Sequence, residues 1–239
     1  MKTFLINLKK NTERLKRSSD RLKELGVEFE RVEAVYGKEL SSKEKRNAVN
    51  RFRWWCAQGR KIRDGEIGCA LSHYKIYKRM INEGMDFACI LEDDNVYSDN
   101  FKEVVNNVTR VINPLEPQVI LLSNRTKEKH TSKDFLIMPA RRDSGTFSYV
   151  ITKVAAKRIL DANLPMHVPC DYWRRWVSRG LVFLFHAFPT VCEPENCAVF
   201  GSDIETPGME RVSDFSICKW LKHKAKRLIG VAIDNVMPI

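Results

Sequence analysis

Three acids stand together at the end of an apolar run in Phe87-Ala88-Cys89-Ile90-Leu91-Glu92-Asp93-Asp94. The run reads as a buried strand, and the carboxylates follow directly at its C-terminal end. Side by side at the edge of a core, carboxylates raise one another's pKa, so the group needs a counter-charge. A divalent cation supplies one, and an all-oxygen ligand set suits Mg²⁺ or Mn²⁺. In open α/β sheets, ligands bind in the crevice just outside the C-terminal ends of the strands, where these acids fall. The competing reading is an acidic turn facing water.

The elements that must position such a site can be read on either side of it. Thr3–Leu8 reads as a first strand, and Asn11 or Thr12 can cap a helix running to Leu25, with Gly26 as its stop. Val27–Val35 alternates apolar and polar residues, a second strand. Strand, helix and strand in this order make a βαβ unit and imply a parallel sheet. The fixed crossover hand puts Asn7 and the Ala34–Gly37 turn on one edge. Asp64-Gly65-Glu66 opens a helix in which Ile67, Ala70, Leu71, Tyr74, Tyr77 and Ile81 recur at helical spacing, with Gly84 as its end. After the acids, Asp99–Ile112 reads as a helix closed by Pro114, and Val119–Ser123 as a short buried strand. Gly145–Ile151 follows as a strand, with Thr152 capping a helix over Lys153–Leu160. Asp171-Tyr172-Trp173 opens a short aromatic helix, and Leu181–Phe185 is a last strand.

Between these elements, residues 38–63 mix Phe52, Trp54 and Trp55 with Arg51, Arg53, Arg60, Lys61 and Arg63. Such mixtures can stack nucleic-acid bases or sugars, but packed aromatics with solvated charges are the commoner outcome and the one expected here.

Composition narrows the classes. With 44% hydrophobic and 30% charged residues the chain is that of a globular protein with a substantial core. No apolar run approaches the roughly 20 residues of a spanning helix. Met1–Leu8 lacks a secretory apolar region, so export is not expected. The 7 cysteines are scattered without a C-x-x-C pair and read as reduced thiols. The formal charge of +11 favours an anionic partner, whether nucleic acid, acidic membrane or phosphorylated substrate.

Several stretches taken together resemble glycosyltransferase family 25, the lipopolysaccharide and lipooligosaccharide glycosyltransferases of bacteria. They are Phe4–Leu8 with Arg14, Gly65-Glu66-Ile67-Gly68-Cys69-Ala70-Leu71-Ser72-His73, Ile90-Leu91-Glu92-Asp93-Asp94, and Gly145–Ile151. Their order and spacing make the likeness specific. The resemblance implies a GT-A-like single Rossmann-type α/β domain with a mostly parallel central sheet. It also implies a UDP-sugar donor, galactose favoured over glucose, with Mn²⁺ or Mg²⁺ as cofactor. Reaction by inversion onto a lipid-linked oligosaccharide hydroxyl follows from the same likeness. Within that frame Asp94 is the first metal ligand, and Asp93 meets metal or ribose. Asn7, Arg14 and Gly37 line the nucleotide edge, while Glu66 and His73 shape the floor; helix hydrogen bonding is the plainer role for these last two.

Inversion in one displacement needs a base on the acceptor hydroxyl. Asp171 is the choice, beside Tyr172-Trp173 where a sugar could stack, with helix capping as the competing role. Asp203 is the second candidate base or a further metal ligand. The domain is expected over residues 1–215. A tail over 216–239 mixes Trp220, Leu221, Leu228 and Ile229 with Lys219, Lys222, Lys224 and Arg227, a basic amphipathic segment able to lie on an anionic bilayer. That suits a cytoplasmic protein peripheral to the inner membrane, with no nucleic-acid partner. A non-catalytic basic nucleic-acid- or membrane-binding protein is the alternative, and leaves the acidic cluster unexplained. A metal-dependent phosphohydrolase is a further one.

Overall fold

The structure, a computed structural model, describes residues 1–124, 134–141, 143 and 145–194. In chain order the elements are β1 (Lys2–Asn7), α1 (Thr12–Glu24), β2 (Glu30–Glu33), a 3-10 turn (Gly37–Glu39), α2 (Ser42–Ala48), α3 (Arg51–Gln58) and α4 (Asp64–Asn82). Then come β3 (Phe87–Glu92), β4 (Asn95–Tyr97), α5 (Phe101–Val111), β5 (Gln118–Leu121), β6 (Leu136–Pro139) and β7 (Ser148–Thr152). The described part closes with α6 (Lys153–Asn163), α7 (Trp173–Ser178), β8 (Phe183–Phe188) and β9 (Cys192–Pro194).

The central sheet has the order β2-β1-β3-β7-β5-β8-β6. β1 pairs in parallel with β2 and with β3, and β5 does so with β8. β7 lies antiparallel between β3 and β5, and β6 runs antiparallel along β8. Strands β1, β2, β3, β5 and β8 therefore point one way, so the sheet is mostly parallel, as a Rossmann-type domain requires. A separate two-stranded ribbon pairs β4 with β9.

The strand sequences are apolar almost throughout because both faces of the sheet are covered. Phe4, Ile6, Ala88, Ile90, Tyr149 and Ile151 face the core built with α4, α6 and α7. The alternate residues Leu5, Cys89, Leu91 and Val150 face the core built with α1 and α5. The period of two thus sorts one run of residues into two cores, giving an α/β/α sandwich.

Helix α4 sits in the first of these layers. Asp64 and Glu66 in its first turn and Arg79 in its last complement the helix dipole. Glu66 accepts from the Arg63 backbone N–H at 3.0 Å, and Gly84 past the end takes a left-handed φ of 68°. Thr152 caps α6 as expected, accepting from Ala155 N–H.

Three expectations need correction. The second strand spans only Glu30–Glu33, because among its residues Val32 alone turns its side chain into the core. Residues 38–63 contain two helices that the short, polar sequence did not announce; Asn50 N–H bonded to Met166 O at 2.9 Å fixes their junction. The packing expectation holds for Trp54 at 1% exposure, whereas Phe52 at 62% and Trp55 at 43% stand in solvent.

Candidate donor site

Strands β1 and β3 end side by side in parallel register, Ile6 opposite Glu92, so the chain leaving β3 meets the turn leaving β1. Asn7 ties the two together. Its Nδ2 donates to Asp93 Oδ2 at 2.6 Å and to Asn11 O at 2.9 Å, and its Oδ1 accepts from Arg31 Nε at 3.1 Å. Arg14 of α1 brings its guanidinium to 3.8 Å from Asp93 Oδ1, and Ser18 donates its hydroxyl to Asp93 O at 3.0 Å. Asp93 is thus buried with its charge met.

Asp94 is in a different position. Its Oδ1 is buried without a hydrogen-bond partner. Burial, then the neighbouring charges of Glu92 and Asp93, push its carboxyl up to about 7 against a weaker opposing pull from Arg14. A buried, unpartnered carboxylate oxygen beside two further acids fits a hard divalent cation.

The opposite wall comes from α4 and the turn after β2. Gly37 and Gly68 let these pieces touch at backbone distance: a Cβ on Gly37 would overlap the Asp64 carbonyl, and one on Gly68 would overlap the Val35 carbonyl. Ser72 Oγ completes the contact, accepting from Val35 N–H at 2.8 Å and donating to Gly68 O at 2.7 Å. Between the walls lies a cavity of about 120 Å³. Asn7, Arg14, Gly37, His73, Asp93 and Asp94 all line it, as do Glu92 and Cys69.

His73 is 1% exposed and held at both nitrogens. Nδ1 lies 2.7 Å from the Tyr149 hydroxyl, itself 2.7 Å from that of Tyr77, and Nε2 lies 3.1 Å from Glu92 Oε1. Burial opposes a charge on His73, but hydrogen bonds with Cys69 and Glu92 outweigh it and raise its pKa to about 9. Glu92 moves oppositely: burial pushes it up, and His73 together with the Thr146 hydroxyl pulls it below the usual range. The two form an imidazolium–carboxylate pair, His73 buried and Glu92 partly exposed. The Cys69 thiol is drawn down to about 7, first by its hydrogen bond with Cys170, whose Sγ is 3.8 Å away.

The remaining expected residues fall elsewhere. Glu66 is not on the cavity wall; besides receiving Arg63 N–H it holds Arg60 through two bonds of 2.7 and 2.5 Å. Asp171 is also off the wall, although Cys170 next to it reaches Cys69. Its Oδ2 accepts from Gly145 N–H at 2.9 Å, and Trp173 Nε1 donates to Gly145 O at 2.9 Å. Asp171 does not cap α7, whose N-cap is Tyr172. Burial, partly offset by the Gly145 bond, raises the Asp171 pKa. Trp173 is fully buried and edge-on to Tyr149, so of the aromatic pair Tyr172, 41% exposed, is the one open to a stacked sugar. Asp203 and the 216–239 tail lie outside the described residues.

Sequence reasoning passed over Cys69, Thr146 and the ion-pairing of Glu92. The first carried a signal in its position one helical turn before His73; Thr146 depends on the chain entering β7 beside the end of β3, and the Glu92 pair on α4 packing over that end, which only the fold reveals.

Co-directional strands ending at a cavity lined by acids, an arginine and a close-packed glycine turn define a Rossmann-type ligand-binding domain. A family model described as "Glycosyltransferase family 25 (LPS biosynthesis protein)" matches residues 1–142. The chain belongs to glycosyltransferase family 25. It is 31% identical over 180 residues to a glycosyltransferase 25 family member of Drosophila melanogaster, covering 70% of this chain and 29% of that one. It is 29% identical over 176 residues to procollagen galactosyltransferase 2 of Homo sapiens, covering 67% and 27%. It is also 29% identical over 217 residues to the procollagen lysyl hydroxylase and glycosyltransferase of Acanthamoeba polyphaga mimivirus, covering 82% and 24%. The chain thus spans less than a third of the length of these relatives. No described helix is long and apolar enough to cross a membrane.

Proposed function

We propose that the protein is an inverting galactosyltransferase that moves galactose from UDP-galactose, with UDP-glucose the next choice of donor, onto a hydroxyl of a lipooligosaccharide or lipopolysaccharide acceptor. The observation that carries the donor site is the unpartnered buried Oδ1 of Asp94 at the end of β3. Asp94, with Asp93 behind it, would hold Mn²⁺ or Mg²⁺. Such an ion, when bound, offsets the charge that develops on the departing diphosphate.

The chain's own groups do the rest. Arg14 lies on the cavity wall beside Asp93 and adds positive charge where the donor phosphates would lie. The Gly37 turn lines the cavity where the nucleotide would lie. Asn7 holds the Asp93 carboxylate in place. The acceptor oxygen attacks the anomeric carbon as the bond to the diphosphate breaks, and its proton passes to a base. Asp171 is the base in this reading: it stands off the donor cavity, next to Cys170, with Oδ2 held by Gly145 N–H, and burial raises its pKa, which strengthens it as a proton acceptor. Asp203 is the second candidate. The enzyme would work in the cytoplasm, with the basic tail resting on the inner membrane beside a lipid-linked acceptor.

Relatives named as procollagen galactosyltransferases favour a second acceptor class, collagen-like peptides. One experiment tests both. The purified protein is incubated with UDP-galactose or UDP-glucose and Mn²⁺, alone and with each acceptor, and products are read by mass spectrometry and linkage analysis. Galactosylated product with inverted configuration supports the reading. Release of inorganic phosphate in place of UDP, or no turnover of either donor, overturns it.

A further inference from the structure

The cavity floor carries a group of side chains that the transfer reaction does not use. Cys69 and His73 are four residues apart on α4 and share one face of it. Glu92 reaches the same place from the end of β3. One ligand atom from each of Cys69, His73 and Glu92 lies within 4.8 Å of the others, and all three residues line the cavity.

We propose that Cys69 Sγ, His73 Nε2 and a carboxylate oxygen of Glu92 form a second metal site, separate from Asp93 and Asp94 and matched to Zn²⁺. Bond lengths of about 2.3 Å to sulfur and about 2.0–2.2 Å to nitrogen and oxygen require ligand atoms roughly 3.3–3.6 Å apart in a tetrahedral site. The His73–Glu92 edge, at 3.1 Å, is already close to that spacing, so only Cys69 must draw in. The surroundings are those that orient zinc ligands. Tyr149 can accept a hydrogen bond from His73 Nδ1–H, leaving the Nε2 lone pair for the ion, and Tyr77 in turn fixes Tyr149. Thr146 donates its hydroxyl proton to Glu92 and so braces that ligand, with Cys69 Sγ 3.7 Å from the same oxygen.

The donor set also sets the selectivity. A thiolate is a poor partner for Mg²⁺ or Mn²⁺ and a good one for Zn²⁺. A thiolate and a carboxylate with a neutral imidazole balance the ion's two charges in a place where an unbalanced charge is costly. Three protein ligands leave a fourth position directed into the cavity, open to water or to an oxygen of a bound ligand. The site stands on these side chains alone and does not depend on the sugar-nucleotide reading.

Cobalt reports such a site directly, because Co²⁺ bound to a thiolate absorbs strongly through sulfur-to-metal charge transfer. The full-length Asp94→Asn protein, in which the oxygen site is weakened, is titrated with Co²⁺ without nucleotide. One equivalent should bring up the charge-transfer band, Zn²⁺ should bleach it, and Cys69→Ser in the same background should abolish it while circular dichroism shows an intact fold. A second measurement on the unmutated protein covers the case in which Cys69→Ser does not fold: Zn²⁺ should block alkylation of Cys69 by iodoacetamide, read by peptide mass spectrometry. No charge-transfer band, a band that survives Cys69→Ser, or alkylation of Cys69 unchanged by Zn²⁺ would each overturn the proposal.

Discussion

Asp94 carries opposite consequences for stability and activity. In the folded protein its carboxyl keeps a proton up to about pH 7, against an ordinary value of 3.8. Between those values the native state binds more protons than the unfolded chain, so stability falls as pH rises through the window. Asp94→Asn removes that liability. In EDTA above pH 7 the variant should gain about 1–2 kcal/mol, roughly 2–8 °C in melting temperature at this chain length, and the gain should vanish below pH 4. The same variant should lose transfer activity and Mn²⁺ response; a lower melting temperature, or full activity in metal-free buffer, would remove Asp94 from the metal site. Asp171→Asn keeps an acceptor for Gly145 N–H but cannot take a proton, so turnover should drop on the order of 100-fold with donor affinity unchanged. Loss of UDP binding, measured by calorimetry, would make Asp171 a structural residue. At this scale the acids were legible because three of them end an apolar strand. The pairing of His73 with Tyr149 and of Cys69 with Cys170 was not, since those partners lie 76 and 101 residues apart and only the sheet brings them together.

The decisive contact between elements is that of the Gly37 turn with the first turn of α4. Neither backbone can retreat, because β2 pairs with β1 on one side and α4 is packed into the core on the other. Gly37→Ala should therefore cost about 1–3 kcal/mol and weaken UDP-sugar binding together with it. Chemical denaturation and donor titration check both; an unchanged denaturation midpoint would show that the turn is free to shift. Helix α4 and strand β3 could be read from the sequence because their patterns are long and regular. Helices α2 and α3 could not. They are short, α2 is largely charged and α3 mixes arginines with aromatics, and their places are set by Trp54 in the core and by the Val49–Met166 bridge, contacts distant in sequence.

On the scale of the whole molecule, charge is the property the fold leaves unabsorbed. The formal +11 is concentrated in part in the 216–239 tail, and each basic residue near an anionic bilayer contributes about 1 kcal/mol. Flotation with anionic liposomes at low salt should carry the full chain and release a form lacking 216–239; equal flotation of both would end the anchor idea. The class of fold was legible because alternating strands and helices imply a parallel sheet, but strand order was not, since β7 inserts against the sequence direction. That insertion has a consequence for how the protein comes into being. Among the described strands, β2-β1-β3 and β5-β8-β6 are joined only through β7. A chain emerging from the ribosome holds β2-β1-β3 with an open β3 edge until Ser148–Thr152 has been made, and β5 and β6 stay without their shared partner until β8 follows; such edges invite aggregation. The family-matched stretch 1–142 stops just short of this strand, so as a separate polypeptide it should be insoluble, whereas 1–194 should fold. Synthesis rate through the residues between β5 and β7 then becomes a determinant of yield: a pause there leaves the β3 edge open for longer.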